Sequence, residues 1–180
     1  MKSSSTKKLV LAAFFLALGL LLPMLVGHMI PMGWIFLPMH IPVLLCGFFC
    51  GGLWGLAVGA VTPLLSAVIT GMPPIFPTAL AMVFELAAYG LLSGLFYQLF
   101  PKKIGYIYSS LLFAMIGGRI VWSAVSFLLY GIAGTVFTFN DIVSGAIVSV
   151  LPGIAVQIVL IPILVMVLDK TKQKDQSIQA

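Results

Sequence analysis

Long apolar segments run along almost the whole chain, separated by short clusters of glycine, proline and lysine. A helix needs roughly 20 apolar residues to cross the hydrocarbon core of a bilayer, and most of these segments approach that length. The pattern therefore predicts an all-α integral membrane protein, a compact bundle of six transmembrane helices that forms a single membrane domain over residues 1–180. The predicted helices cover residues 9–26, 37–50, 56–70, 78–100, 106–130 and 142–168.

The interruptions between these segments are rich in glycine and proline, which favour loops and tight turns. We predict loops at residues 27–34, 71–77 and 131–141, and a tight turn at residues 51–55. Pro63 is expected to kink the third helix. The second and third helices are short for full spans, which tilting or burial within the bundle would accommodate. A five-span alternative would fuse them and place the turn in mid-membrane.

The first apolar run follows a basic start, as in a secretory signal peptide. It extends from Leu9 to Val26, which is long for the apolar part of such a peptide, and no small-x-small cleavage site follows it. We therefore expect a retained first helix.

Composition agrees with a membrane protein, because 62% of the residues are hydrophobic and 7% are charged. Soluble proteins carry about 25% charged residues. The sequence pI near 9.4 does not indicate nucleic-acid binding, because the lysines flank apolar segments. With six spans, one side of the membrane holds both termini, the 101–105 loop and every lysine. The lysines are Lys2, Lys7, Lys8, Lys102, Lys103, Lys170, Lys172 and Lys174. The positive-inside rule then places both termini in the cytoplasm.

Motifs for catalysis are absent from the sequence. It contains no Gly-Lys-Ser/Thr phosphate loop, no H-E-x-x-H and no G-x-S-x-G. Cys46 and Cys50 have no surrounding set of histidines or cysteines, so we expect buried packing residues rather than a metal site. We predict that the protein is not an enzyme and needs neither a cofactor nor a metal.

Two charged residues lie inside predicted helices. Glu85 lies about 10–12 Å below the outer end of the fourth helix, and Arg119 about 16 Å below that of the fifth. An ionised group in the membrane interior costs at least about 2.5–3.5 kcal/mol, so such groups indicate function by default. Two interpretations stay open: an ion pair that fixes one helix against the other, or a site in which at least one of them holds a polar ligand.

Further polar and aromatic residues collect towards the non-cytoplasmic side. Each alone has a simpler explanation, such as an interfacial anchor for Trp34, a solvated loop residue for His28 or a helix cap for His40. Together they are typical of an apolar pocket with a few convergent polar groups. The predicted substrate-binding residues are His28, Trp34, Met39, His40, Glu85, Arg119, Trp122, Asn140 and Gln157.

Small residues recur at helical spacing, which allows helix backbones to approach closely. Gly47, Gly51, Gly55 and Gly59 follow one another at intervals of four residues, as do Gly90 and Gly94, and we expect them to pack within the bundle. Ala13 and Ala17 have the same spacing on the first helix. Two interpretations stay open for these alanines: internal packing, or docking of another membrane subunit.

At this point the sequence resembles the substrate-specific components of energy-coupling factor (ECF) vitamin transporters. The resemblance covers nearly the whole chain and rests on Ala13-x-x-x-Ala17 together with three glycine- and proline-rich stretches. These stretches are residues 37–42 (LPMHIP), 51–55 (GGLWG) and 71–78 (GMPPIFPT). The resemblance implies a multi-pass protein of a prokaryotic plasma membrane that binds a vitamin with high affinity near its outer face, under a lid formed by the first loop.

The resemblance also implies partners. Ala13 and Ala17 would dock onto a transmembrane coupling subunit that is joined to two ATPase subunits. Thiamine-, biotin-, folate- and riboflavin-specific members carry other loop sequences, which leaves pantothenate-type and pyridoxine-type substrates. Arg119 suits a carboxylate and Glu85 suits a pyridine nitrogen, so the residues do not separate the two. The alternatives outside this family are a membrane-embedded enzyme acting on a lipid and an assembly protein without a ligand.

Overall fold

The computed structural model describes residues 2–29, 36–101, 104–134 and 151–178. Side chains are described at residues 5–27, 29, 36–101, 104–134 and 151–167. All regular structure in these ranges is helical, and no strand occurs in them. The helices are α1 (Lys2–Met29), α2 (His40–Cys50), α3 (Gly52–Thr70), α4 (Leu80–Leu99), α5 (Ile104–Ile132) and α6 (Leu151–Ile178), and a short segment that is extended at Phe76 (Ile75–Ala79) leads into α4.

Four segments are long and apolar enough to cross a membrane. They are Ser5–Gly27, Gly52–Thr70, Ile75–Leu99 and Ile104–Ile132, and the apolar parts of α2 and α6, His40–Cys50 and Leu151–Val167, are shorter. The all-helical membrane class predicted from the sequence is therefore confirmed. The six crossings and the cytoplasmic position of both termini stay predictions.

Two predicted boundaries were wrong at glycines. α1 continues through Gly27 to Met29, where the sequence predicted a loop, because Gly27 has open space around it and no proline interrupts the helix there. α3 begins at Gly52, so residues 52–55 are helical rather than part of a turn. Gly51 alone makes the corner between α2 and α3, with a φ of 99° that other residues rarely adopt.

A glycine cap and two side-chain hydrogen bonds hold the start of the connection between α3 and α4. Gly71 caps α3 in the left-handed conformation, and the hydroxyls of Ser66 and Thr70 donate hydrogen bonds of 2.9 and 3.0 Å to the Met72 carbonyl. The loop predicted at residues 71–77 is confirmed as far as Phe76, whose dihedral angles are extended (φ −122°, ψ 133°), and α4 begins at Leu80. α5 extends to Ile132, into a predicted loop whose remaining residues from 135 onwards lie outside the described part.

Backbone contact between α3 and α4 is the closest helix packing in the described residues. A Cβ atom at Gly90 would overlap the backbone of Gly55, and one at Gly59 would overlap the Leu86 carbonyl. Gly94 meets the backbone of Gly47 and Gly52 in the same way. The prediction that these spaced glycines pack within the bundle is confirmed, because side chains at these positions would hold the helices apart.

Helix α2 lies in the centre of the bundle. Every residue from His40 to Cys50 is buried except Phe49, which is half-buried. A helix that is apolar on all sides is stable when other helices surround it. Phe48 packs edge-on against Tyr97 of α4, with ring centroids 5.0 Å apart, and Phe49 stacks near Phe15 of α1. The shortness of α2 is therefore accommodated by burial.

The outer surfaces of the long helices are apolar. Large side chains such as Phe14, Leu53, Phe84, Ile120 and Val159 are exposed. Contiguous exposed apolar surface on this scale is unusual for a protein in water and indicates contact with lipid or with another membrane protein.

Candidate functional site

Three helices bring one polar side chain each to a common point inside the bundle. Glu85 of α4 lies between His40 of α2 and Arg119 of α5. Its Oε1 atom is 3.0 Å from Arg119 Nη1 and 3.5 Å from His40 Nε2. The exposed fractions of the side chains are 1% for His40, 2% for Glu85 and 14% for Arg119. We call these three residues the polar cluster.

Local structure explains why His40 reaches the polar cluster. His40 is the first residue of α2, and its amide donates a 3.0 Å hydrogen bond to the Leu37 carbonyl. Leu37 adopts a φ of 50°, a left-handed conformation that is unusual for leucine and turns the chain into the helix. The imidazole then points into the bundle towards Glu85 instead of capping the backbone, so the capping alternative for His40 is wrong.

Tyr89 completes the surroundings of the polar cluster and was missed by sequence reasoning. It lies one helical turn after Glu85 on α4 and is 1% exposed. Its ring packs edge-on against His40, with centroids 5.3 Å apart. Gly118 gives the ring room, because a Cβ there would lie 3.0 Å from Tyr89 Cζ. The available signal was the four-residue spacing from Glu85, which places Tyr89 on the same face.

Arg119 is also accompanied by an aromatic ring from its own helix. Its Cζ atom lies 5.9 Å from the centroid of the Trp122 ring, within the range of a cation–π interaction. Trp122 is half-buried and follows Arg119 by three residues, so both lie on one face of α5. The structure therefore confirms the prediction that Arg119 and Trp122 lie close together on one face of the helix.

Several buried polar atoms have no hydrogen-bond partner among the described residues. They are His40 Nδ1 and Nε2, Glu85 Oε1, Arg119 Nε and Nη2, Ser126 Oγ, and Gln157 Nε2 and Oε1. The short distance from Glu85 to Arg119 is thus an ion-pair contact without hydrogen-bond alignment. Buried polar groups are nearly always paired, so such a concentration of unpaired atoms calls for an explanation.

Gln157 and Ser126 extend this set of unpaired groups beyond the polar cluster. Gln157 is 1% exposed and lies on the buried face of α6, in line with Gly153, Ile161 and Val165. Ser126 is fully buried on α5, seven residues after Arg119 and on nearly the same face. Sequence reasoning predicted Gln157 but not Ser126, since serine is common in packed membrane helices.

The other predicted site residues have different outcomes. Met39 is 5% exposed and belongs to the apolar core, so it offers packing surface rather than a polar contact. The side chain of His28, and Trp34 and Asn140 entirely, lie outside the described part of the structure. No group of three or more His, Cys, Asp or Glu side chains that could hold a metal ion occurs in the part described.

Comparison with known proteins gives one match. The family model for the substrate-specific component of ECF transporters matches residues 7–168. The chain belongs to this family, as the resemblance of its sequence indicated. The family consists of substrate-binding transporter subunits, not of enzymes. No curated protein and no solved structure matches the chain.

Proposed function

We propose that this protein is the high-affinity substrate-binding subunit of an ECF-type importer for a small water-soluble vitamin in a prokaryotic plasma membrane. In this proposal six helices cross the membrane and both termini are cytoplasmic. The observation that carries the proposal is the polar cluster of His40, Glu85 and Arg119, buried among apolar helices with unpaired donors and acceptors.

A purely structural role explains this cluster poorly. A buried ion pair that serves only to join helices is expected to have its remaining donors and acceptors satisfied, because each unpaired buried polar group costs about 1–3 kcal/mol. Here Arg119 Nε and Nη2 and both His40 nitrogens are unpaired within the described residues. A polar substrate that binds among these groups would supply the missing partners.

The same groups suit the two vitamin classes that the family resemblance leaves. Arg119 offers donors to the carboxylate of a pantothenate-type substrate, and Glu85 offers an acceptor to the ring nitrogen of a pyridoxine-type substrate. Tyr89 and Trp122 offer aromatic surface to either. Apolar walls with a few oriented polar groups are typical of small-molecule sites.

The exposed face of α1 supports docking to a coupling subunit. Ala12, Phe15 and Gly19 face the bundle, whereas Ala13 and Ala17 are exposed on a different side of the helix. Since these alanines do not pack internally, the structure favours the second of the two interpretations that the sequence left open. We propose that a transmembrane coupling subunit, joined to two ATPase subunits, packs closely against α1 over these small side chains.

Substrate binding is tested by a thermal-shift screen of the detergent-purified protein against the water-soluble vitamins. A ligand present at 100 times its dissociation constant stabilises the folded state by about 2.7 kcal/mol. One strong stabiliser is expected, and it identifies the substrate. If no vitamin stabilises protein that is shown to be folded, the assignment as a vitamin-binding subunit is wrong and a role in assembly takes its place.

Subunit docking is tested separately with Ala13→Trp. The large side chain is expected to prevent co-purification with the coupling subunit and to abolish vitamin uptake by cells, while vitamin binding by the isolated protein persists. Ala124→Trp is the matched control, because Ala124 is exposed on α5, away from α1. Normal complex formation by Ala13→Trp, or equal disruption by Ala124→Trp, would show that α1 is not the docking face.

A further inference from the structure

The guanidinium group of Arg119 has two distinct edges with different surroundings. Its Nη1 atom lies 3.0 Å from Glu85 Oε1. Its Nε and Nη2 atoms are buried and have no hydrogen-bond partner among the described residues. In a planar guanidinium, Nε–H and one Nη2–H point in parallel from the same edge, which forms a two-pronged donor. We call this the free edge of Arg119.

A carboxylate fits the free edge better than other acceptors do. Its two oxygens accept the two parallel hydrogen bonds at once, a bidentate geometry that adds both strength and specificity. A phosphate group fits the same fork but brings up to two negative charges. Glu85 already places one negative charge beside Arg119, so a dianion would meet stronger repulsion than a monoanion. Of the two acceptor groups that fit the fork, the singly charged carboxylate therefore fits better.

The neighbours of Glu85 argue against a positively charged group on the substrate at this position. Its carboxylate faces Arg119 on one side and His40 on the other, so both neighbours are potential donors to it. A cationic group that reached Glu85 would also approach the Arg119 guanidinium, and this like-charge contact is unfavourable in a buried site. The unpaired donors of Arg119 instead require acceptors from the ligand.

We propose that the free edge of Arg119 binds a carboxylate of the transported substrate, and that Glu85 is a positioning residue that orients this edge through Nη1. This inference rests on the proposed function and narrows it to vitamins that carry a carboxylate. Such a substrate satisfies Nε and Nη2 of Arg119 together. An uncharged alcohol in the same place satisfies at most part of the edge and leaves a buried donor unpaired.

Matched pairs of probes test the proposal on the wild-type protein. Each pair contains an acid and the alcohol that replaces its carboxylate: pantothenate with pantothenol, and 4-pyridoxic acid with pyridoxine. Dissociation constants are measured by titration calorimetry, with competition for the weaker binder. The acid of the binding pair is expected to bind at least about 10-fold more tightly than its alcohol, as for a lost charge-assisted hydrogen bond. Equal affinities, or tighter binding of the alcohol, overturn the carboxylate assignment.

The variant Arg119→Lys adds a second, independent measurement. Lysine retains the positive charge but lacks the fork, so affinity for the acid is expected to fall about 10-fold or more while affinity for the alcohol changes less than about threefold. Its melting curve without ligand shows whether it is folded. An equal loss for acid and alcohol overturns the proposal, because it indicates a general change of the site.

Failure of the proposed function has a different signature. If the carboxylate assignment alone is wrong, some vitamin still binds, but through its neutral or basic form. If no water-soluble vitamin, acid or alcohol, binds to folded wild-type protein, the substrate-binding role itself is wrong and this inference is wrong with it.

Discussion

Removing the charge of Glu85 is the sharpest perturbation of the polar cluster. Glu85→Gln keeps the size of the side chain but leaves the Arg119 cation buried without its counter-charge at 3.0 Å. Breaking a buried ion pair from one side destabilises a protein by about 3–5 kcal/mol. Because Arg119 retains 14% of its exposure, we expect the lower end of this range, about 3 kcal/mol.

The partner substitution and the double variant complete a thermodynamic cycle. Arg119→Gln leaves Glu85, which is 2% exposed, without a cation and is expected to destabilise by a similar amount. The double variant Glu85→Gln/Arg119→Gln buries no charge at either position. Its destabilisation should therefore be smaller than the sum of the single values, by about 1–3 kcal/mol, as is usual for residues in direct contact.

The two cysteines provide the assay. Cys46 and Cys50 are free, and their exposed fractions are 0% and 2%, so a fluorogenic thiol dye reports unfolding without any added label. For domains of this size 1 kcal/mol corresponds to about 2–4 °C in Tm, so each single variant should melt about 6–12 °C below the wild type. Additive effects in the double variant, or a Glu85→Gln protein as stable as the wild type, would refute the buried-pair reasoning.

The same variant links stability to ligand chemistry. In Glu85→Gln the free edge of Arg119 loses the residue that orients it. The acid of the binding pair should therefore raise the Tm of Glu85→Gln by less than it raises that of the wild type. The shift with the alcohol should change less. A shift with the acid as large as in the wild type, or larger, would contradict the positioning role inferred for Glu85.

Three other variants test the surrounding structure. Gly90→Ala should destabilise by about 1–3 kcal/mol or more, because its Cβ meets the Gly55 backbone, whereas Gly105→Ala, with open space around it, should be neutral or slightly stabilising in the same melting assay. Gln157→Leu should raise the Tm without ligand, since it removes two unpaired buried atoms, and should weaken vitamin binding in calorimetry. Ser126→Ala should raise the Tm slightly for the same reason but lower vitamin affinity several-fold, and an unchanged affinity would place Ser126 outside the site.

The sequence singled out the charged part of the candidate site because ionisable residues are rare within apolar helices. Glu85 and Arg119 were evident for that reason. In the structure they contact each other, and each still has at least one polar atom without a hydrogen-bond partner among the described residues. Tyr89, Gly118 and Ser126 were not predicted, because tyrosine, glycine and serine also occur in membrane helices for packing or interfacial anchoring. Their contribution depends on helix rotation and on three-dimensional neighbours, which residue spacing alone does not determine.

The fold was predicted to a similar extent. Apolar length predicted the helices, and glycine spacing predicted the close packing of α3 and α4. Helix ends were less predictable: Gly27 and Gly52 lie within helices, because a glycine permits a turn without requiring one. The central position of α2 was also hidden, since a helix that is apolar on every face has no periodicity to show which side is buried.

The backbone contact between Gly55 and Gly90 has a consequence for the energetics of uptake. Side chains can change rotamer to absorb a helix shift, but two backbones in direct contact cannot, so α4 is held in one rotation and one height relative to its neighbours. Glu85, five residues before Gly90, is therefore oriented towards His40 before any substrate arrives. In the binding role proposed for this cluster, such preorganisation would lower the entropy lost on binding and allow a small molecule to reach high affinity with few contacts.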